Sequence, residues 1–168
     1  MKQYCLDMSG LSNPYGDLPH DIYVTLWREV MSRIEAGIFA TTSEIYDHEL
    51  LHIPGELGEC IKANKPQLVL EVNAGTWDWR GYIAHSTRMN TAHHQFIWEY
   101  VDGNPKKTVG LNDMSIIALG KTLSLPVLSM ETSAAKSPKH RRIPDICDAE
   151  TMQHYWFNDF LRAENIRI

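Results

Sequence analysis

The chain has few cysteines, and their spacing builds neither a disulfide framework nor a zinc site. Its 168 residues contain only three, which lie far apart and form no C-x-x-C pair: Cys5, Cys60 and Cys147. Small secreted domains are usually dense in disulfides, and zinc sites place cysteines in closely spaced pairs. The scarcity therefore indicates a reducing compartment and argues against a cysteine-based metal site.

Long apolar runs and a positive charge balance are also missing. No stretch approaches the ~20 apolar residues that a transmembrane helix needs, so we expect no membrane partner. Residues 1–3 lead straight into a short apolar segment without a signal peptide, and we expect a cytoplasmic protein. The net charge of −5 argues against a generally basic nucleic-acid-binding protein, but it is compatible with a local basic patch.

Strand-like and helix-like segments alternate along the chain. Strands are predicted at residues 3–7, 38–41, 125–130 and 153–155. Helices are predicted at residues 22–34, 44–51, 54–61, 79–89, 93–100, 112–120 and 156–162, and a further short helix is predicted from residue 143 onward. Residues 13–17 are predicted to form a turn-rich loop, while residues 67–72 fit either a strand or a buried helix. This alternation predicts an α/β fold with a central, mainly parallel sheet flanked by helices, in a single domain over residues 1–168.

Four acidic residues lie where predicted strands end or predicted helices begin: Asp7, Glu44, Asp113 and Glu131. The carboxyl ends of parallel strands meet at one edge of a sheet, so we expect the four carboxylates to share a cleft. Such a cluster requires cations, and its oxygen ligands suit Mg²⁺ or Mn²⁺. Two such ions about 3.5–4 Å apart can activate water and stabilise the leaving oxygen in phosphodiester hydrolysis. The alternative is that Glu44 and Asp113 are ordinary first-turn acids favoured by the helix dipole.

Short motifs in the same order resemble those of PIN-domain proteins. Residues 4–9 resemble the opening strand followed by Asp-x-Asn/Ser, with Ser9 as the hydroxyl residue that can bond a ligand carboxylate or a phosphate. Residues 43–50 resemble the second motif, whose acid falls on Glu44, and residues 113–119 resemble the third, an Asp that opens a helix. Ser129-Met130-Glu131 resembles the Thr-x-Asp motif after the fourth strand, with Glu in place of Asp.

The resemblance implies a Rossmann-like sheet and a Mg²⁺- or Mn²⁺-dependent ribonuclease of the kind found as toxins in toxin–antitoxin pairs. It implies Asp7, Glu44, Asp113 and Glu131 as metal ligands and catalytic residues, with Ser9 beside them. The expected partners are an RNA substrate and a cognate antitoxin that holds the toxin inactive. The oligomeric state stays open, with a homodimer as one option.

A basic segment follows Glu131 closely and is the predicted RNA-binding region. It carries four fixed positive charges: Lys136, Lys139, Arg141 and Arg142. Lysine and arginine side chains hold phosphates by charge and by paired hydrogen bonds. The alternative is a solvated surface loop.

Two other functions compete with the ribonuclease. Residues 48–52 fit the pattern H-E-x-x-H, in which His48 and His52 on one helix face would bind Zn²⁺ and Glu49 would act as the general base of a metalloprotease. The third histidine of the longer metzincin pattern would fall on Gly58, and Pro54 follows closely, so this interpretation ranks lower. The other competitor is a PIN-like module that binds RNA or an antitoxin with weak or no catalysis.

Overall fold

A parallel four-stranded sheet forms the centre of the protein in the computed structural model, which describes residues 1–101, 103–134 and 137–167. The strands are β1 (Tyr4–Leu6), β2 (Phe39–Ala40), β3 (Val127–Leu128) and β4 (His154–Tyr155). Their order is β2-β1-β3-β4, and every neighbouring pair is parallel. This confirms the predicted α/β, Rossmann-like architecture with a parallel sheet.

Helices connect and flank the strands within the described residues. They are α1 (Ser9–Asp17), α2 (Val24–Glu35), α3 (Ser43–His48), α4 (Gly55–Ala63), α5 (Lys65–Leu68), α6 (Trp79–Ala92), α7 (Leu111–Leu123), α8 (Ile143–Ala149) and α9 (Phe157–Ala163). Two 3₁₀ helices lie at Leu50–His52 and His94–Phe96. None of the helices in the described ranges has both the length and the apolar content that spanning a membrane requires.

The core lies between the sheet and the helices that cover it. All three residues of β1 are buried, as expected for a parallel strand whose two faces are both covered. Helix α7 is apolar on most of its surface, with Ile116, Ile117 and Leu119 fully buried, so it forms a core helix beside β1 and α6. This buried scaffold fixes the strand ends from which the candidate site is built.

Strands β1 and β3 leave the sheet at the same edge. Leu6 is opposite Leu128 in the register, and the backbone N–H of Asp7 still donates to the carbonyl of Leu128 at 3.1 Å. The segments that follow the two strands therefore begin side by side. This adjacency brings Asp7 close to the loop that carries Glu131.

Three predicted elements differ from the structure. Residues 13–17 belong to helix α1 and do not form the expected loop. Residues 93–100 form a 3₁₀ turn and a separate hydrogen-bonded turn instead of one helix, because the N–H of Trp98 donates to the distant carbonyl of Val109 and draws the chain out of a helical path. Residues 67–72 contain the end of α5 and an isolated parallel bridge between Val69 and Thr41.

Candidate functional site

Asp7 is the most buried acid of the site. It follows β1 directly and is only 4% exposed. Burial raises its pKa to about 7, and the charges of Glu49 and Glu131 act in the same direction. The hydroxyl and the backbone N–H of Ser9 oppose this shift by donating to Asp7 Oδ2, at 2.5 Å and 3.0 Å. Asp7 is thus an oriented carboxylate in surroundings that disfavour its charge.

Ser9 links the two loops that carry the acids. While its hydroxyl donates to Asp7, its Oγ accepts the backbone N–H of Met130 at 3.0 Å. Met130 directly precedes Glu131, so one hydroxyl ties the loop after β1 to the loop after β3. The structure therefore places Ser9 beside Asp7, in the position that the sequence predicts.

Asp113 lies in the first turn of α7. Its Oδ2 accepts the backbone N–H of Gly110 at 2.7 Å, which fixes the carboxylate at the helix start. Burial, followed by the charges of Asp7 and Glu131, raises its pKa well above the ordinary range of an aspartate. The coupling to Asp7 and Glu131 places Asp113 within the same group of acids.

Glu131 is held by the segment that begins helix α8. Its Oε2 accepts the backbone N–H of Ile143 at 2.9 Å, and Arg142 Nη1 lies 3.6 Å from its Oε1. The Glu131 carbonyl also accepts the indole N–H of Trp156 at 3.1 Å. The charge of Glu131 contributes to the raised pKa of both Asp7 and Asp113.

Glu49, and not Glu44, is the fourth acid that the structure brings to this site. Asn112 Nδ2 donates to Glu49 Oε1 at 3.2 Å. Burial raises the Glu49 pKa, the Asn112 hydrogen bond opposes this, and the charge of Glu131 adds to it. Glu44 instead lies exposed in the first turn of α3, where its charge, after burial, helps to raise the pKa of Tyr82 to about 12. The prediction that Glu44 joins the site is therefore corrected to Glu49.

We call the four acids the acid cluster: Asp7, Glu49, Asp113 and Glu131. They come from four separate segments and influence each other's charge, and the pKa of Asp7, Glu49 and Asp113 is raised. All their donor atoms are carboxylate oxygens, which suit hard divalent cations. Among the described residues, no three His, Cys, Asp or Glu side chains stand in the arrangement of a ready-made metal site.

The H-E-x-x-H segment does not form the continuous helix that a zinc protease needs. Helix α3 ends at His48, Glu49 leaves helical geometry with φ −131° and ψ −66°, and residues 50–52 form a 3₁₀ turn. Both His48 and His52 are exposed, while Glu49 is bonded to Asn112. The required pairing of two histidines one helical turn apart is therefore broken in this fully described segment.

The predicted RNA-binding residues differ in their surroundings. Arg142 contacts Glu131 and donates to the Lys106 carbonyl, so it lies next to the acid cluster. Arg141 is used inside its own loop, where it donates to the carbonyls of Ser137 and His140 and stacks over Phe96. The Lys139 side chain is exposed, and Lys136 lies outside the described residues.

A basic cavity borders the cluster at Arg142. It has a volume of about 690 Å³, and its lining includes Lys107, Arg142, His140 and the hydroxyl residues Thr132 and Ser137. Lysine, arginine and hydroxyl groups are typical phosphate donors. Lys107 and His140 are thus additional candidate phosphate contacts that flank Arg142.

Comparison with models of known protein families gives a match. A family model described as "Domain of unknown function (DUF4411)" matches residues 4–168, a range that contains the whole acid cluster. No curated protein matches the chain at a significant level of similarity.

Proposed function

The chain belongs to the DUF4411 family of domains of unknown function, and from the site itself we propose that it is a metal-dependent ribonuclease of the PIN-domain type. The observation that carries the proposal is the acid cluster. Four carboxylates from distant segments act on one another's charge beside the ends of β1 and β3, and the pKa of three of them is raised. Perturbed pKa values cluster at functional sites, and open α/β sheets bind their ligands at the carboxyl ends of the strands.

The cluster fits a hard divalent cation by its chemistry. The charges of Asp7 and Glu131 both raise the pKa of Asp113, which reflects repulsion among the three carboxylates. A bound cation would relieve this repulsion. Asp7, Glu49, Asp113 and Glu131 would hold Mg²⁺ or Mn²⁺, which when bound supplies charge neutralisation and an activated water.

Neighbouring groups orient the acids for this role. Ser9 fixes Asp7, Asn112 fixes Glu49, and the Ile143 N–H fixes Glu131. Hydrogen bonds of this kind hold ligand side chains in position before a ligand arrives. The acids are therefore oriented to receive a divalent cation, and through it a phosphodiester.

Arg142 and the basic cavity would hold the RNA backbone beside the acids. Arg142 has one guanidinium nitrogen near Glu131 and another bonded to a backbone carbonyl, so its charge is held at the border of the cluster. Lys107 and the exposed Lys139 supply further positive charge for phosphates along the strand. The overall charge of −5 would confine RNA binding to this patch.

The central test is cleavage of structured RNA by purified protein with Mg²⁺ or Mn²⁺. We expect cleavage by the wild type, and a loss of about a hundredfold or more in Asp7→Asn and Asp113→Asn, because each removes a charge from the cluster. Addition of EDTA should abolish cleavage, and Mn²⁺ in excess should restore it. Equal cleavage by wild type and Asp7→Asn would contradict the proposal.

A module that binds RNA with weak or no catalysis is the second candidate. The contacts of Glu131 favour this candidate, because one of its carboxylate oxygens already accepts the Ile143 N–H and the other lies next to Arg142. RNA binding by the wild type without cleavage in either metal would support this candidate over the ribonuclease.

The toxin role leads to a test in cells. A toxin-type ribonuclease should slow the growth of a bacterial host when it is expressed alone, and a cognate antitoxin should relieve the arrest. Asp7→Asn expressed to the same level is the matched control and should leave growth unchanged. Growth arrest by both proteins would mean that the toxicity does not depend on the acid cluster.

A further inference from the structure

A second cavity lies beside the acid cluster, at the start of helix α9. Its volume is about 610 Å³, within the range of about 300–1,000 Å³ that is typical of small-molecule sites. Its apolar lining includes Pro14, Leu18, Met130 and Trp156. Met130 is bonded to Ser9 and precedes Glu131, so this wall of the cavity is continuous with the cluster.

Trp156 presents an oriented aromatic surface at this cavity. The residue is 48% exposed, although most large apolar side chains of the described residues are buried. Its indole N–H donates to the Glu131 carbonyl, and its backbone N–H donates to Asp159 Oδ2, each at 3.1 Å. The ring is thus anchored at one edge to the backbone of a cluster residue, with part of its surface open to solvent.

Three charged residues line the same cavity: Asp17, Asp159 and Arg162. Asp17 is exposed at the end of α1, and Arg162 is exposed on α9, where it also pairs with Asp159 at 3.1 Å. A carboxylate only accepts hydrogen bonds, whereas a guanidinium only donates them. Every RNA base carries both donors and acceptors, but guanine pairs them in the way that these two side chains need. Its two adjacent N–H donors suit the two oxygens of a carboxylate, and its adjacent O6 and N7 acceptors suit the fork of a guanidinium.

We propose that this cavity binds an unpaired guanine base of the RNA whose neighbouring phosphate lies at the acid cluster. The base stacks on Trp156, Asp17 accepts its N–H groups, and Arg162 donates to O6 and N7. The proposal rests on the proposed ribonuclease function for the orientation of the strand. It predicts cleavage next to guanosine in single-stranded regions.

Binding can be measured apart from cleavage in an Asp7→Asn background, with fluorescence anisotropy of labelled RNA. The probes are a short oligouridylate with one central guanosine and the same oligonucleotide with adenosine in its place. We expect tighter binding of the guanosine probe, and loss of roughly tenfold or more in affinity with Trp156→Ala. Trp156→Phe, which keeps a ring, should retain most of the affinity, and Asp17→Asn should reduce the preference for guanosine.

Trp79→Ala is the matched control, because Trp79 is a half-exposed tryptophan on α6 that stacks with Arg80. It should bind both probes as the parent does, and thermal denaturation of all variants would verify folding. Unchanged affinity in Trp156→Ala would overturn the stacking site, and equal affinity of the parent for both probes would overturn the assignment of guanine. Neither result would contradict the proposed ribonuclease activity. Conversely, selective guanosine binding by a wild type that cleaves no RNA would support the cavity and overturn the ribonuclease.

Discussion

Asp7 is held where two independent effects disfavour its negative charge. It is almost fully buried, and the carboxylates of Glu49 and Glu131 act on it across the site, while the two hydrogen bonds from Ser9 stabilise the charge. A fold selected for stability alone gains nothing from this arrangement, since an apolar residue would fill the same space without the electrostatic cost. The arrangement is understandable if the charge is used to bind something positive.

Glu49 and Glu44 offer a direct comparison of two acids on neighbouring turns. We expect Glu49→Gln to lower kcat/KM for RNA cleavage by about a hundredfold, because it removes one charge from the acid cluster. Glu44→Gln should leave kcat/KM unchanged, since Glu44 is exposed and its charge acts on Tyr82. Steady-state kinetics with Mn²⁺ would measure both, and equal losses in the two variants would contradict the assignment of Glu49.

The residues that sequence alone can identify are those whose position follows from strand ends and helix starts. Asp7, Ser9, Asp113 and Glu131 belong to this group, because the topology of a parallel sheet brings such positions together. Glu49 does not, since it lies at the point where α3 breaks into a 3₁₀ turn. Hydrophobic periodicity does not reveal such a break, although the H-E-x-x-H pattern draws attention to Glu49 for a different reason.

At the scale of elements, helix α1 packs so closely on β3 that one of its positions admits no side chain. A Cβ atom on Gly10 would lie 2.6 Å from the carbonyl oxygen of Leu128, which is backbone and cannot turn away. Gly10 directly follows Ser9, so this close approach also positions the hydroxyl that orients Asp7. The packing of α1 and the geometry of the site are therefore linked.

Two alanine substitutions within α1 should have opposite effects on stability. We expect Gly10→Ala to lower the free energy of unfolding by about 1–3 kcal/mol, because the new methyl group forces the helix away from β3. Gly16→Ala should raise it by up to about 1 kcal/mol, since a Cβ there would meet no atom of the described residues within 4 Å and alanine favours the helix. Denaturant unfolding would measure both values. A Gly10→Ala protein as stable as Gly16→Ala would contradict the close packing.

The elements that periodicity predicts well are those with a clear apolar pattern, such as α2 and α7. Helix α1 differs, because Asn13, Pro14 and Gly16 are typical turn residues and predict a loop over its second half. The chain is nevertheless helical there, with Leu11 and Pro14 buried against the rest of the protein. Packing thus outweighs the local preference, and a single sequence carries no direct sign of that packing.

At the scale of the whole molecule, ionisable groups with raised pKa and those with lowered pKa change the stability of the protein in different parts of the pH range. Glu150 is buried and paired with Arg88 and His93, and the Arg88 hydrogen bond is the main cause of its lowered pKa. A lowered pKa contributes stability that is present above the unfolded pKa and is lost only as the pH falls into the acid range. The contribution of Glu150 therefore varies little between about pH 5 and pH 8.

The acid cluster has the opposite sign, and its contribution changes within that window. The pKa of Asp7 is raised to about 7, and those of Asp113 and Glu49 are also raised. A raised pKa contributes stability that is fully present below the unfolded pKa and is lost as the pH rises through the folded pKa. The metal-free protein should therefore have a lower Tm at about pH 8 than at about pH 5.

A divalent cation should reverse this loss, and most strongly at high pH, where the carboxylates are deprotonated and free to bind it. Thermal denaturation in EDTA and in excess Mn²⁺ across this range would measure the effect. Asp7→Asn is the control: it should be more stable than the wild type in EDTA at about pH 8, and it should gain less from Mn²⁺. A wild-type Tm that rises with pH in EDTA would mean that repulsion within the cluster does not destabilise the protein. A Tm that Mn²⁺ leaves unchanged would mean that the cluster is not a cation site.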